Sequence, residues 1–168
     1  MKIKISAGIG VGPTQLSAFD SALNHAGVAN YNLIRLSSVI PPKSKIEVSG
    51  DTLTNLPGEW GDRLYVVMAE QRASKPNEEA WAGIGWVQEK ESGKGLFVEH
   101  EGSSEKAVRS DITQSLQALM ATRNVDFGEI QMEVIGTSCK HLPVCVMVVA
   151  VYQASDWENG AELIRSKS

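Results

Sequence analysis

Two adjacent serines, Ser37 and Ser38, lie between an apolar run and a proline pair in Asn30-Tyr31-Asn32-Leu33-Ile34-Arg35-Leu36-Ser37-Ser38-Val39-Ile40-Pro41-Pro42. Tyr31, Leu33, Ile34, Leu36, Val39 and Ile40 have the β-branched and aromatic bias of a strand. Proline has no amide hydrogen for a ladder, so the strand must end or bend at Pro41. A serine held at such an end, with a restricted backbone, can react with its own chain. The Ser38 hydroxyl attacks the Ser37 carbonyl carbon and turns the peptide link into an ester, given a donor for the oxyanion and a near in-line approach. Elimination then releases a chain ending at Ser37 and leaves a dehydroalanine, which takes up water and loses ammonia to become a pyruvoyl group. A ketone beside an amide is an electron sink, here made from the backbone itself. Serine pairs near prolines also serve as turn residues whose hydroxyls bond local backbone, and the rest of the chain has to separate the two readings.

Other chemistries find little support. The glycines of Gly8-x-Gly10-x-Gly12 have the wrong spacing for a phosphate loop, and no Lys-Ser/Thr follows them. His25, His100 and His141 match no metal-ligand spacing, and no Gly-x-Ser-x-Gly elbow is present. Cys139 and Cys145 make neither a disulfide framework nor a metal site, and Cys145 reads as core. The 168 residues suit one domain, with 42% hydrophobic and 21% charged residues. A net charge of −4 without a basic cluster argues against nucleic acid and suits a cationic or neutral small substrate. No apolar run reaches membrane-spanning length and no leader is recognisable, so a cytoplasmic protein without membrane contact is expected.

The elements that must position the serines follow from periodicity. Lys2 to Ser6 alternates as a half-buried strand, and Gly8, Gly10 and Gly12 loosen the chain before Pro13. A helix runs from a Thr14 cap to a Gly27 stop with Leu16, Phe19, Leu23 and Ala26 facing the core and Asp20 beside that stripe. Residues 46–61 read as a loop with one short edge strand at Ile46 to Val48. Strands are expected over 64–69, 80–88, 96–101, 129–136 and 144–152, the last buried on both faces. In the third of these, Phe97, Glu99 and Glu101 share one face and Leu96, Val98 and His100 the other. Ser104 to Asn124 is an amphipathic helix on Val108, Ile112, Leu116, Leu119 and Met120, and Asp156 to Ser168 is a polar, amphipathic tail. Two helices among six or seven strands, partly interleaved, favour an α+β arrangement of sheets covered by helices.

Three segments, Leu16 to Gly27, Asn32 to Pro42 and Gly95 to Gly102, resemble the pyruvoyl-dependent arginine decarboxylases. The most specific parts are Asn32-x4-Ser37-Ser38-x-x-Pro41-Pro42 and Glu99-His100-Glu101-Gly102, where histidine replaces the family's tyrosine. The resemblance implies an α-β-β-α sandwich of two packed sheets covered by helices, self-cleaved between Ser37 and Ser38 into a β chain, 1–37, and an α chain, 38–168. It implies a trimer or a dimer of trimers with sites between subunits, a covalent pyruvoyl group derived from Ser38, and decarboxylation of L-arginine to agmatine, while the spacings above leave no metal expected. Asn32 then matches the residue that assists processing, its amide able to donate to an oxyanion. Asp20 matches the acceptor of the substrate guanidinium, whose planar fork suits a carboxylate. Glu99 matches the acid that returns a proton once arginine's amine has condensed with the ketone and carbon dioxide has left, with Glu101 a competing candidate on the same face. A pyruvoyl decarboxylase for another amino acid, and an unprocessed oligomeric binding protein, are the alternative readings.

Overall fold

The computed structural model describes residues 1–50 and 52–158. Its architecture is set first by small residues. Strand β1 (Lys2–Val11) runs through Gly8 and Gly10, which do not loosen the chain as expected. They let helix α1 (Gln15–Ala26) lie directly on the strand: a Cβ on Gly8 would come within 2.2 Å of the Ala22 carbonyl oxygen, and one on Gly10 within 2.0 Å of that of Ala18. The buried stripe of α1 is accordingly Ala18, Ala22 and Ala26, because only short side chains fit so close a crossing. Phe19 and Leu23 pack at its margins, and Leu16 is 69% exposed, which corrects the expected stripe. Both expected ends hold. The Thr14 hydroxyl accepts from the Ser17 amide in a capping box, and Gly27 closes the helix in the left-handed region at φ 85°.

The remaining elements are β2 (Asn32–Arg35), β3 (Val39–Ile40), β4 (Lys45–Val48), β5 (Arg63–Ala73), β6 (Glu79–Gln88), β7 (Gly95–Gly102), α2 (Glu105–Ala121), β8 (Gln131–Ser138) and β9 (Val144–Ser155). They form a five-stranded sheet ordered β2-β5-β9-β1-β4 and a four-stranded sheet ordered β3-β7-β6-β8. Among the described residues, only β1 with β4 and β2 with β5 pair in parallel. The two sheets face each other across a core of Ile3, Ile5, Val67, Ile84, Phe97, Val146 and Val148. A second core lies between α1 and the outer face of the larger sheet. The third lies between α2 and the outer face of the smaller one, where Val108, Ile112 and Leu116 are fully buried and Leu119 and Met120 flank them. The result is the α-β-β-α sandwich, with β9 buried on both faces through Val151, as its unbroken apolar sequence requires.

Several boundaries move. β1 continues to Val11, β5 to Ala73 and β9 to Ser155, α2 ends at Ala121, β8 is shifted to 131–138, and the run expected as one strand before Pro41 is two strands, β2 and β3, in different sheets. The end of the polar tail, 159–168, lies outside the described residues.

Candidate active site

The split of β2 from β3 places Ser37 and Ser38 in the short span by which the chain leaves one sheet for the other. On one side, the Leu36 amide donates to the Val66 carbonyl at 2.9 Å, the last tie to the larger sheet. On the other, the Phe97 amide donates to the Ser38 carbonyl at 2.8 Å, continuing the β3–β7 ladder in which Val39 faces Leu96 and Ile40 faces Gly95. Between these ties Ser38 takes φ 66°, in the left-handed region where a side chain is crowded by its own carbonyl. That conformation costs a non-glycine residue about 1–3 kcal/mol and persists only where surrounding contacts impose it.

The Ser38 hydroxyl donates to Glu99 Oε1 at 2.5 Å. Period two puts Glu99 on the face of β7 that carries Phe97 into the inter-sheet core, and the two-residue length of β3 leaves the edge of β7 open beside it. A contact this short between a hydroxyl and a carboxyl group belongs to the strong class of hydrogen bonds. Glu101, two residues on, is exposed and makes no contact with Ser38. Of the two glutamates, Glu99 is the one whose carboxyl meets Ser38. Ser37, Ser38 and Glu99 open onto a cavity of about 510 Å³ also lined by Ser115 and Leu119 of α2 and by Arg123 just past its end. On its floor, His100 Nε2 is 2.8 Å from the Ser115 hydroxyl, a side-chain tie between β7 and α2.

Two expected residues stand elsewhere in the chain. Asn32 is exposed at the start of β2; its backbone amide donates to the Asp62 carbonyl at 2.8 Å and its side-chain amide to the Gly61 carbonyl at 2.5 Å. Asp20 is exposed on α1, where Oδ2 accepts from the Asn24 side chain at 3.2 Å. Neither lines the cavity of Ser38.

One residue at the site had no expected role. Tyr152, last on the inner face of β9 after Val144, Val146, Val148 and Ala150, reaches across to the smaller sheet and donates its hydroxyl to the Val39 carbonyl at 3.1 Å. Its ring meets Phe97 edge-on at 6.1 Å. Burial, with a further contribution from the Glu99 charge, pushes the phenol well above its usual range, so it stays a donor. A tyrosine closing a period-two apolar stripe was visible in the sequence, but nothing there joined it to Val39. Among the described residues no His/Cys/Asp/Glu group could hold a metal ion. Cys145 lies in the core under α1, and its thiol is pushed up to about 11, chiefly by burial. Nor is any helix among the described residues long and apolar enough to cross a membrane.

The family model described as pyruvoyl-dependent arginine decarboxylase matches residues 2–156. A protein of that name from Halobacterium salinarum is 35% identical over 158 residues, covering 92% of this chain and 96% of the relative. Others so named, from Thermoplasma volcanium and Methanocaldococcus jannaschii, are 34% and 35% identical over 112 and 105 residues, covering 65% and 62% of this chain and 60% of each relative. Among solved structures, a pyruvoyl-dependent histidine decarboxylase aligns at 14% identity with a TM-score of 0.43, covering 61% of this chain and 54% of that one.

Proposed function

The chain belongs to the pyruvoyl-dependent arginine decarboxylase family, and on that premise we propose that it cleaves itself between Ser37 and Ser38 and then decarboxylates L-arginine to agmatine and carbon dioxide. The observation that carries the reading is the left-handed Ser38 with its hydroxyl on Glu99 at 2.5 Å, at the mouth of a cavity large enough for an amino acid.

Glu99 takes the hydroxyl proton as Ser38 Oγ attacks the Ser37 carbonyl carbon, and returns it to the departing Ser38 nitrogen, which leaves an ester. This shift relieves the strain at Ser38, because the ester no longer forces that backbone through the left-handed region. A base then takes the Ser38 α-proton, the Cα–Cβ double bond forms, and the Cβ–Oγ bond breaks, so that Oγ leaves with Ser37 as its carboxylate. The dehydroalanine at residue 38 takes up one water and releases one ammonia. The β chain is then 1–37 and the α chain 38–168.

The residues present fit the group so formed. The Ser38 carbonyl is already held by the Phe97 amide, and Glu99 touches the hydroxyl of the residue that becomes the ketone. The pyruvoyl group supplies the electron sink into which carbon dioxide loss delivers its electrons. Glu99 supplies the proton that replaces the carboxylate on the substrate α-carbon. α2 and the Leu96–Val98 stretch of β7 wall the cavity with apolar side chains, a setting that favours the less charged state formed as carbon dioxide leaves.

Among the described residues the cavity's acid is Glu99, which this reading assigns to proton transfer, and Asp20 is exposed on α1. Leu16, one turn before Asp20, is 69% exposed, and Val39, next to the serine pair, is 57% exposed. Apolar surface beside both half-sites supports assembly of copies, as a trimer or a dimer of trimers, so that Asp20 of the partner subunit accepts the guanidinium. Asn32 is exposed as well, and its side chain has a second amide hydrogen to donate for processing.

Intact mass of the denatured protein tests the reading. Two chains divided after Ser37 are expected, the larger lighter by one ammonia than a free Ser38 terminus requires. A single full-length mass overturns it.

A further inference from the structure

We propose that Tyr152 is a positioning residue for self-cleavage: by holding the Val39 carbonyl it keeps Ser38 in its reactive conformation, and afterwards it anchors the new end of the α chain. The proposal rests on the cleavage reading above.

The ladder itself shows the need. With Ser38 opposite Phe97 and Ile40 opposite Gly95 in hydrogen-bonded positions, Val39 and Leu96 form the intervening pair, whose backbone groups point away from each other. β3 is the edge of its sheet, so the Val39 carbonyl has no neighbouring strand to donate to it. The Tyr152 hydroxyl, 113 residues away in sequence, takes that place at 3.1 Å. The phenol is itself braced, its ring against Phe97 and that of Phe97 against Trp86 at 6.3 Å. Tyr152 and the Phe97 amide thus fix the two successive peptide planes after Ser38, and the Leu36 amide fixes the chain before the pair.

A strained residue keeps its conformation only if both flanks are fixed. The N-terminal flank is a strand of the larger sheet. The C-terminal flank is a two-residue strand with Pro41 directly behind it, and it slackens most readily. After cleavage the asymmetry grows: residue 38 is a free end, tied only by the Phe97 amide, the short β3 ladder and Tyr152.

The test is Tyr152→Phe, which keeps the ring on Phe97 and removes only the hydroxyl. Freshly translated full chain, quenched in denaturant at intervals and weighed intact, is expected to convert to two chains about five-fold more slowly, the weight of one neutral hydrogen bond. Amide exchange in a peptide covering residues 38–42 should rise by a similar factor, with 144–151 still protected and Tm changed by no more than about 4 °C. Unchanged cleavage and exchange in the variant overturn the proposal. Slow cleavage with 144–151 also deprotected overturns it too, since that is a general loss of packing. A native chain that stays at one mass overturns the cleavage reading itself, a result separable from failure of the variant.

Discussion

Replacing Glu99 by glutamine isolates what the carboxylate does beyond accepting a hydrogen bond. The amide places a carbonyl oxygen where Oε1 stands, 2.5 Å from Ser38 Oγ, so the hydroxyl keeps its partner and its direction. What is lost is charge assistance, about 1 kcal/mol between a charged and a neutral acceptor, equivalent to about 2–4 °C in Tm for a domain of this size. The chemical loss is far larger, because an amide oxygen does not take the serine proton. Removal of a positioned general base slows a reaction by about 10²–10⁴-fold, or roughly 3–5 kcal/mol in the barrier. Glu99→Gln is therefore expected to fold and to accumulate as one chain of full-length mass. The assay follows the ratio of one-chain to two-chain protein from synthesis onward, by intact mass in denaturant, with Tm measured on the same sample. Conversion at the native rate refutes the reasoning: the 2.5 Å contact would then orient the serine without activating it. A Tm loss of more than about 10 °C refutes it differently, since a collapsed site needs no missing base to explain inactivity.

Ser38→Ala removes the attacking oxygen and should leave a folded, uncleaved and inactive chain, and cleavage in that variant would exclude serine attack. Asp20→Ala should cleave normally while KM for arginine rises by about 10²-fold, the loss expected when one partner of a hydrogen-bonded charge pair is removed; unchanged arginine kinetics would take Asp20 out of the substrate site. Gly10→Ala would set a methyl 2.0 Å from the Ala18 carbonyl oxygen and 2.3 Å from the Ala22 amide nitrogen, forcing α1 off its strand. The cost is about 3 kcal/mol, and Tm should fall by about 6–12 °C; calorimetry showing no change would mean that α1 does not need so close a crossing.

The helices were legible because their signals are local. The Thr14 cap, the Gly27 stop and the three- and four-residue recurrence in α2 need no knowledge of a partner. The face of α1 that is buried was not legible, because Leu16, Phe19 and Leu23 outweigh alanine on any hydrophobicity count. The choice of Ala18, Ala22 and Ala26 is dictated by Gly8 and Gly10 on the strand beneath, and the match between the two stripes exists only once they are docked. The glycines were visible, but they read as punctuation because the surface that demands them is made elsewhere in the chain.

The site divides along the same line. Ser37-Ser38 before the proline pair carried its chemistry in its own residue types, while its link to Glu99 rested on resemblance, since no period connects positions 61 residues apart. Nor did periodicity separate β2 from β3: alternation continues through the serines, and only the pairing of Leu36 with Val66 and of Phe97 with Ser38 shows that the strand changes sheets there. That change of sheets also explains the placing of the strain. A chain crossing from one layer of a sandwich to the other must turn within the crossing, and this one does so at a serine where glycine would be comfortable. Glycine at 38 would relax the turn and remove the nucleophile together. On the proposed reading the strain and the hydroxyl belong to one residue, and the two sheets that hold the ends of the crossing, through Val66 on one side and through Phe97 and Tyr152 on the other, are as much part of the proposed cleavage site as Glu99.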